Sequence, residues 1–158
     1  MASHDLSRFL KYVSREGAHI PGMMLCCWDW IGAVANGNRP WFYLGGSGRL
    51  ARRALFEILI DKKLPAESPV VALCGNRLCV RPEHLFLCND TDATAVGPKG
   101  QFDPGLGFLM RQLNQQGYEP EELAVNLDVS VVLVKAYLYE TPTQSAGKGA
   151  APALRNIQ

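Results

Sequence analysis

The sequence predicts an α+β fold, with a small core of strands and helices followed by a helical module. Two short apolar runs, VVALC (70–74) and HLFLC (84–88), have the length and composition of strands and flank a polar loop. Apolar residues recur at helical spacing over 49–62 and again after residue 106. A chain of 158 residues can bury one core. We therefore expect one compact domain with a small appendage.

The N-terminal half is predicted to hold a helix, two strands and then the best-defined helix of the chain. Residues 5–15 carry apolar side chains at helical spacing, with Asp5 as a possible cap. The run MMLCCWDWIGAV (23–34) predicts a buried strand, and WFYL (41–44), closed by GGSG, predicts a second one. The helix predicted over 49–62 carries three arginines near its N-terminal end: Arg49, Arg52 and Arg53.

The C-terminal part is predicted to be helical. TDATAV (91–96) indicates the start of a helix, residues 106–117 predict another, and residues 119–140 resemble the second and third helices of a helix-turn-helix. The presumed recognition helix has Val131, Val132 and Leu133 where polar base-reading side chains are expected. DNA reading and a packing or dimer-forming hairpin both remain open for this unit.

These elements divide the chain into four parts. Residues 1–97 form the predicted core, 98–105 a linker, 106–140 the helical module and 141–158 a small, polar, proline-bearing tail that we expect to be disordered. Hydrophobic residues make up 47% and charged residues 20%, as in ordinary soluble proteins. Without an apolar run of about 18 residues or a secretory signal pattern, we expect a cytoplasmic protein with no membrane partner.

Positive charge is concentrated in the middle of the chain. Between residues 39 and 81 there are eight basic and three acidic residues, although the net charge of the whole chain is only +1. A basic region on a nearly neutral chain is typical of a protein that binds a polyanion, whereas solvated surface charge is the alternative.

Three potential metal ligands lie in the loop between the two central strands. Cys74, Cys79 and His84 follow one another at intervals of five residues. Zinc favours four thiolate and imidazole ligands in a tetrahedron, and a structural site leaves no position for water. The cysteines could instead be ordinary buried thiols. However, a polar loop containing Gly75 and Asn76 buries too little apolar surface to order itself, which favours a metal that does so.

The fourth ligand must come from another segment. The chain has five cysteines and no sign of export, which favours thiols or metal ligands over disulfides. We expect Cys27 to be the fourth ligand in preference to Cys26 or Cys88. Alternation along the predicted strand sends Cys26 and Cys27 to opposite faces, so only one of the two can reach the metal.

Three motifs resemble a known family. CWDWIGA (27–33), ARRALFEIL (51–59) and ALCGNRLCVRPEHL (72–85) are similar in order and spacing to the HNH endonucleases of the His-Me finger group. The similarity covers residues 6–95 and is greatest to zinc-bearing phage members and His-Cys box homing endonucleases. It implies a zinc-stapled ββα nuclease core and Mg²⁺-dependent hydrolysis of DNA. In this chemistry a histidine is the general base, an asparagine or aspartate binds Mg²⁺, and an arginine holds the phosphate.

The resemblance assigns these roles to individual positions. The structural zinc ligands fall on Cys27, Cys74, Cys79 and His84, and the phosphate-holding arginine falls on Arg53. The general-base histidine falls on Ala72 and the Mg²⁺-binding asparagine on Ala93. A methyl group neither accepts a proton nor binds Mg²⁺. Asp92, Asp90 or Asn89 lie near enough in sequence to substitute for the metal ligand, but we expect them to form a solvated turn.

We therefore expect an inactive form of an HNH homing-type endonuclease that binds double-stranded DNA, with both a monomer and a homodimer left open. Alanine at both catalytic positions, with the zinc ligands retained, favours deliberate inactivation over natural decay. The backbone of DNA would be held by six arginines: Arg39, Arg49, Arg52, Arg53, Arg77 and Arg81. A non-catalytic DNA-binding regulator is the alternative, and a protein-binding module built on the zinc site is a weaker one.

Overall fold

The computed structural model describes residues 2–36, 39–64, 69–88, 92–96 and 101–141. These residues form helices and small antiparallel sheets, so the predicted α+β class is confirmed. The helices are α1 (Ala2–Leu10), α2 (Ala51–Ile60), α3 (Ala93–Val96), α4 (Pro104–Gln115), α5 (Pro120–Leu127) and α6 (Val131–Tyr139). The strands are β1 (Val13–Ser14), β2 (Asp29–Trp30), β3 (Val34–Ala35), β4 (Arg39–Leu44), β5 (Ser47–Leu50), β6 (Val70–Ala72) and β7 (Leu85–Leu87).

The strands form three antiparallel sheets in the described part of the chain: β1 with β2, β3 with β4 and β5, and β6 with β7. The strands predicted on either side of the polar loop are confirmed as β6 and β7, with Val71 opposite Phe86. The loop between them ends in a 3₁₀ turn over Pro82–His84. The helix predicted to begin after β7 is confirmed as α3.

Two predictions in the N-terminal half are correct only in part, because a helix and strands are present there with other bounds than predicted. The helix predicted over 5–15 ends at Leu10, and Val13 pairs with Trp30 as part of β1. The strand predicted over 23–34 is reduced to β2 and β3, because the preceding backbone finds partners outside a sheet. For example, the amide of Cys27 donates to the carbonyl of Ala18 at 2.7 Å.

The helix predicted over 49–62 begins two residues later than expected. Ser47–Leu50 forms β5 instead, which pairs with β4. Gly45 and Gly46, with φ of 62° and 81°, make the tight turn between these strands. Such two-residue hairpin turns require positive φ, which glycine adopts without a steric penalty.

The core lies between α1, α2 and the sheets. The rings of Phe9, Trp30 and Phe42 are fully or almost fully buried, with the centroid of Phe9 4.9 Å from Trp30 and 5.0 Å from Phe42. Helix α2 buries Leu55 and Ile58 against the same core. Aromatic pairs at these distances add to the hydrophobic stabilisation.

The three C-terminal helices are confirmed close to their predicted bounds. Asp128 adopts a left-handed conformation (φ 57°) between α5 and α6, where glycine is commoner, and Ser130 caps α6 by accepting from the amide of Leu133. The predicted linker over 98–105 lies partly outside the described residues, as does the predicted tail apart from residue 141. Among the described residues, no helix has the length and apolar character needed to cross a membrane.

Candidate metal centre

Four soft side chains from two distant segments converge at one buried point. The potential ligand atoms of Cys27, Cys74, Cys79 and His84 all lie within 4.8 Å of one another. The Sγ atoms of Cys27 and Cys74 are 3.6 Å apart. The Nδ1 atom of His84 is 3.8 Å from the Sγ of Cys27 and 3.5 Å from that of Cys79. The structure therefore brings together the four predicted ligands.

These distances fit a tetrahedral metal ion. With Zn–S bonds of about 2.3 Å and Zn–N bonds of about 2.0 Å, a tetrahedron has S–S edges of about 3.8 Å and S–N edges of about 3.5 Å. The measured separations of 3.6 Å between two sulfurs, and of 3.5 and 3.8 Å between sulfur and nitrogen, are close to both values. Three sulfurs and one imidazole nitrogen also match the donor preference of zinc. The cluster could thus hold a metal ion and is compatible with structural zinc.

The loop between β6 and β7 owes its shape to local hydrogen bonds. The side chain of Asn76 accepts from the amide of Leu78 and donates to Asp29 at 2.9 Å, which ties the loop to β2. The amide of Arg81 points at the Sγ of Cys79 at 3.5 Å. This contact holds the backbone of the loop against one of the potential metal ligands.

The segment carrying Cys27 passes close to an earlier loop. The amide of Gly17 donates to the carbonyl of Cys27 at 3.0 Å. A Cβ atom at position 17 would lie 2.6 Å from that carbonyl oxygen, so only glycine permits this approach. A contact between two loops, and not a strand, therefore holds Cys27 in place.

The other two cysteines point elsewhere. The thiol of Cys26 lies 3.6 Å from the carbonyl of Arg15. Burial and then the nearby charge of Asp92 raise the pKa of Cys88 to about 12, which keeps it a thiol. Cys27, and not Cys26, belongs to the cluster, as predicted. However, the two residues do not lie in a strand, so strand alternation is not the reason that their side chains point to different places.

The cluster is electrostatically suited to a cation. Hydrogen bonds from Cys74 and Cys79 lower the pKa of Cys27, whereas hydrogen bonds with Cys27 and Cys74, and then burial, raise the pKa of Cys79. Burial acts to lower the pKa of His84, but the neighbouring thiols and Glu140 outweigh it and raise the pKa to about 10. The surroundings of His84 therefore stabilise positive charge, which a bound metal ion would supply.

A buried carboxylate stands behind the histidine. Glu140, the residue that ends α6, accepts a hydrogen bond from the Nε2 atom of His84 at 2.7 Å, and both side chains are fully buried. It also accepts from the amides of Met24 and Leu25, the latter at 2.8 Å. A metal-bound histidine commonly donates its second N–H to such a carboxylate. Sequence reasoning missed Glu140, because no local pattern links residues 56 positions apart.

A small cleft adjoins the ligand loop at Ala72. It has a volume of about 130 Å³, and its lining includes Ala72, Gly75, Phe102 and two arginines, Arg52 and Arg77. The guanidinium of Arg52 donates to the carbonyls of Asn76 and Arg77, at 3.4 and 2.7 Å. Burial lowers the pKa of Arg52, opposed by the charges of Cys79 and Cys74. The position assigned to the general base thus borders a cleft with two guanidinium groups.

Arg53, expected to hold the phosphate, is placed differently. Its Nε lies 3.8 Å from a carboxylate oxygen of Glu57, and its guanidinium donates to the carbonyl of Leu64 at 3.1 Å. Arg52 is one of the residues that line the cleft, and Arg53 is not. The adjacent position on α2 is therefore the one that faces the cleft.

Among the other expected DNA contacts, Arg39 and Arg77 are exposed. Arg49 forms an ion pair with Glu57 and is 18% exposed. Arg81 pairs with Glu83 at 3.1 Å, donates to the carbonyl of Cys26 at 2.9 Å and lies over the ring of Trp28. A guanidinium group committed to such internal contacts is less available to a phosphate.

The predictions for the Mg²⁺-binding position and its neighbours in the sequence have mixed outcomes. Ala93 is the first residue of α3. The prediction of a solvated turn at Asp92 is wrong, because this carboxylate is fully buried and accepts a hydrogen bond from the amide of Ser130 at 2.9 Å. The other two positions of that turn, Asn89 and Asp90, lie outside the described residues.

Comparison with protein-family models, with curated proteins and with solved structures found no match for this chain. The metal centre and the adjoining cleft are the structural features that bear on function in the described part of the chain.

Proposed function

We propose that this chain is a DNA-binding scaffold of the HNH endonuclease type that lacks the residues for hydrolysis. The order of elements around the metal centre supports this proposal. Strand β6, the ligand loop, β7 and α3 follow one another directly, which is the ββα order that the resemblance implies. Zinc, the metal that this ligand set favours, would link the loop to the segment of Cys27 and keep the core in shape.

The cleft at Ala72 is the observation that carries the proposal. Its two arginines, Arg52 and Arg77, provide positive charge beside Ala72 at the end of β6, the position that the resemblance assigns to the general base. Arg52 already donates to two carbonyl groups, so it contributes positive charge to the cleft, and the exposed Arg77 is the side chain that is accessible to a phosphate. Guanidinium groups bind phosphate through paired N–H donors, and such contacts give affinity without reading the base sequence.

The residues at the two catalytic positions do not fit hydrolysis. Ala72 offers no proton acceptor, and the alanine at position 93 offers no oxygen ligand for Mg²⁺. Asp92 is buried, and one of its oxygens already bonds the amide of Ser130. We therefore assign no cleavage step to the chain, and the proposed activity is binding without cutting.

The first test measures binding of duplex DNA across a salt series. Each phosphate contact contributes about −0.9 to the slope of log K against log salt concentration, so Arg77→Ala should weaken binding and reduce the slope by about one. Lys62→Ala is the matched control, since this exposed lysine follows the opposite end of α2 from Arg52. An affinity for DNA that does not depend on salt, or no affinity at all, would contradict the proposal.

The second test restores the missing groups. The double variant Ala72→His with Ala93→Asn should convert supercoiled plasmid to the nicked form with Mg²⁺, while the unmodified chain and each single variant should not. General-base catalysis typically contributes about 10²–10⁴-fold, so the double variant should far exceed the Ala93→Asn variant. A double variant that holds zinc and binds DNA but does not nick would favour the alternative of a non-catalytic regulator.

A further inference from the structure

The end of α6 carries an unusual residue. Glu140 has φ of 49°, in the left-handed region that favours glycine, and its side chain is fully buried. A buried carboxylate is unfavourable unless hydrogen bonds compensate for the loss of water. Its place at the end of this helix therefore requires strong partners inside the protein.

Those partners belong to both segments of the metal centre. One oxygen of Glu140 accepts from the Nε2 atom of His84 at 2.7 Å and from the amide of Leu25 at 2.8 Å, and the other accepts from the amide of Met24. These two amides precede Cys27 by only two or three residues. One side chain of the helical module thus contacts both segments that contribute potential metal ligands: His84 itself and the backbone just before Cys27.

We propose that Glu140 is a positioning residue of the metal centre, through which the C-terminal helical module and the bound metal stabilise each other. Glu140 fixes the ring of His84 so that Nδ1 faces the three sulfurs. In return, a histidine held by metal keeps its Nε2–H directed at Glu140 and holds the end of α6 against the core. The proposal requires that the cluster binds a metal, and it is independent of DNA binding.

The other end of α6 is tied to the core as well. Asp92, just before α3, accepts a hydrogen bond from the amide of Ser130, the residue that caps α6. A carboxylate at a helix N-terminus is favourable because of the helix dipole. Helix α6 is therefore connected to the ββα region by a buried carboxylate at each end, and only the Glu140 end depends on the metal.

The first experiment uses the full chain with the substitution Glu140→Gln. Glutamine has the same shape and still accepts hydrogen bonds, but it removes the negative charge behind His84. We expect zinc affinity, measured by competition with a chelator, to fall about 10–100-fold. Glu121→Gln is the matched control, because Glu121 lies in the same module and pairs with the exposed Lys135 at 3.1 Å, and zinc affinity should not change.

A spectroscopic measurement separates positioning from simple packing. In the chain loaded with ¹¹³Cd²⁺, the Nε2 proton of His84 should give a strongly downfield signal in the wild type, because it is shared with a carboxylate. Glu140→Gln should move this signal upfield and change the ¹¹³Cd chemical shift. A purely structural role of Glu140 would lower thermal stability and leave both signals in place, which would overturn the proposal.

A second variant covers the case in which Glu140→Gln fails to fold. His84→Cys keeps a fourth metal ligand but has no N–H group to donate to Glu140. We expect one zinc per chain together with faster hydrogen exchange of the α6 amides than in the wild type. Wild-type protection of α6 in this variant, an unchanged zinc affinity in Glu140→Gln, or a wild-type chain that binds no zinc would each overturn the proposal.

Discussion

The substitution Cys27→Ser tests the metal centre as a long-range link. Cys74, Cys79 and His84 lie within one short loop, whereas Cys27 is 47 residues away from Cys74. Without Cys27, the remaining three ligands can still meet a metal, but they no longer connect the two segments. The variant therefore removes the link and leaves the local ligands intact.

The magnitude follows from the length of the closed loop. A cross-link that closes a loop of 47 residues lowers the entropy of the unfolded chain by about 14 cal/mol/K, or about 4 kcal/mol at 25 °C. Domains of this size are stable by about 5–15 kcal/mol, so the link is a large share of the total. With a urea m-value of about 2 kcal/mol/M, the unfolding midpoint should fall by about 2 M.

The assay is urea unfolding followed by tryptophan fluorescence, with zinc and with an excess of chelator. With zinc, we expect the wild type to unfold at a higher urea concentration than Cys27→Ser. With the chelator, the two unfolding midpoints should coincide, so the zinc-dependent part of the difference measures the metal link. Cys26→Ser is the matched control, since its thiol lies against the carbonyl of Arg15 and not in the cluster. A wild-type midpoint that does not respond to the chelator would refute the reasoning.

Two further predictions concern groups outside the metal centre. Burial raises the pKa of Cys88 to about 12, so this thiol should react slowly with alkylating reagents at pH 8. Alkylation followed by mass spectrometry should therefore modify the partly exposed Cys26 first and Cys88 only when the protein unfolds. Early labelling of Cys88 would count against its buried placement. Glu57, 6% exposed and paired with Arg49, should be needed for stability. Glu57→Ala should lower the free energy of unfolding by about 3 kcal/mol in calorimetry, since it removes the buried carboxylate that pairs with the partly buried guanidinium of Arg49, and a loss below about 1 kcal/mol would argue against this pair.

The residues that could bind a metal were predictable from the sequence because their chemistry is local and specific. Cys74, Cys79 and His84 are soft ligands within one short polar loop, and two apolar runs identify the strands on either side of it. Helix α2 and the helices of the C-terminal module were predictable for a similar reason, since apolar periodicity is a property of neighbouring residues.

The N-terminal segment was not predictable in this way. A run rich in aromatic and apolar residues favours a strand, yet the backbone around Cys27 bonds to Ala18 and Gly17. These partners belong to a loop earlier in the chain, so the local pattern contains no information about them. The same holds for Val13, whose pairing with Trp30 ends the expected helix early.

By itself, the sequence determined which side chains can bind a metal, and it places alanine at the two positions that the resemblance assigns to catalysis. Only the tertiary structure decided which charged groups are committed inside the protein: Arg49 and Arg53 to Glu57, Asp92 to the start of α6, and Glu140 to His84. The physical reason is that ligand chemistry belongs to the residue type, whereas the partner of a buried charge depends on which distant segments the fold brings together.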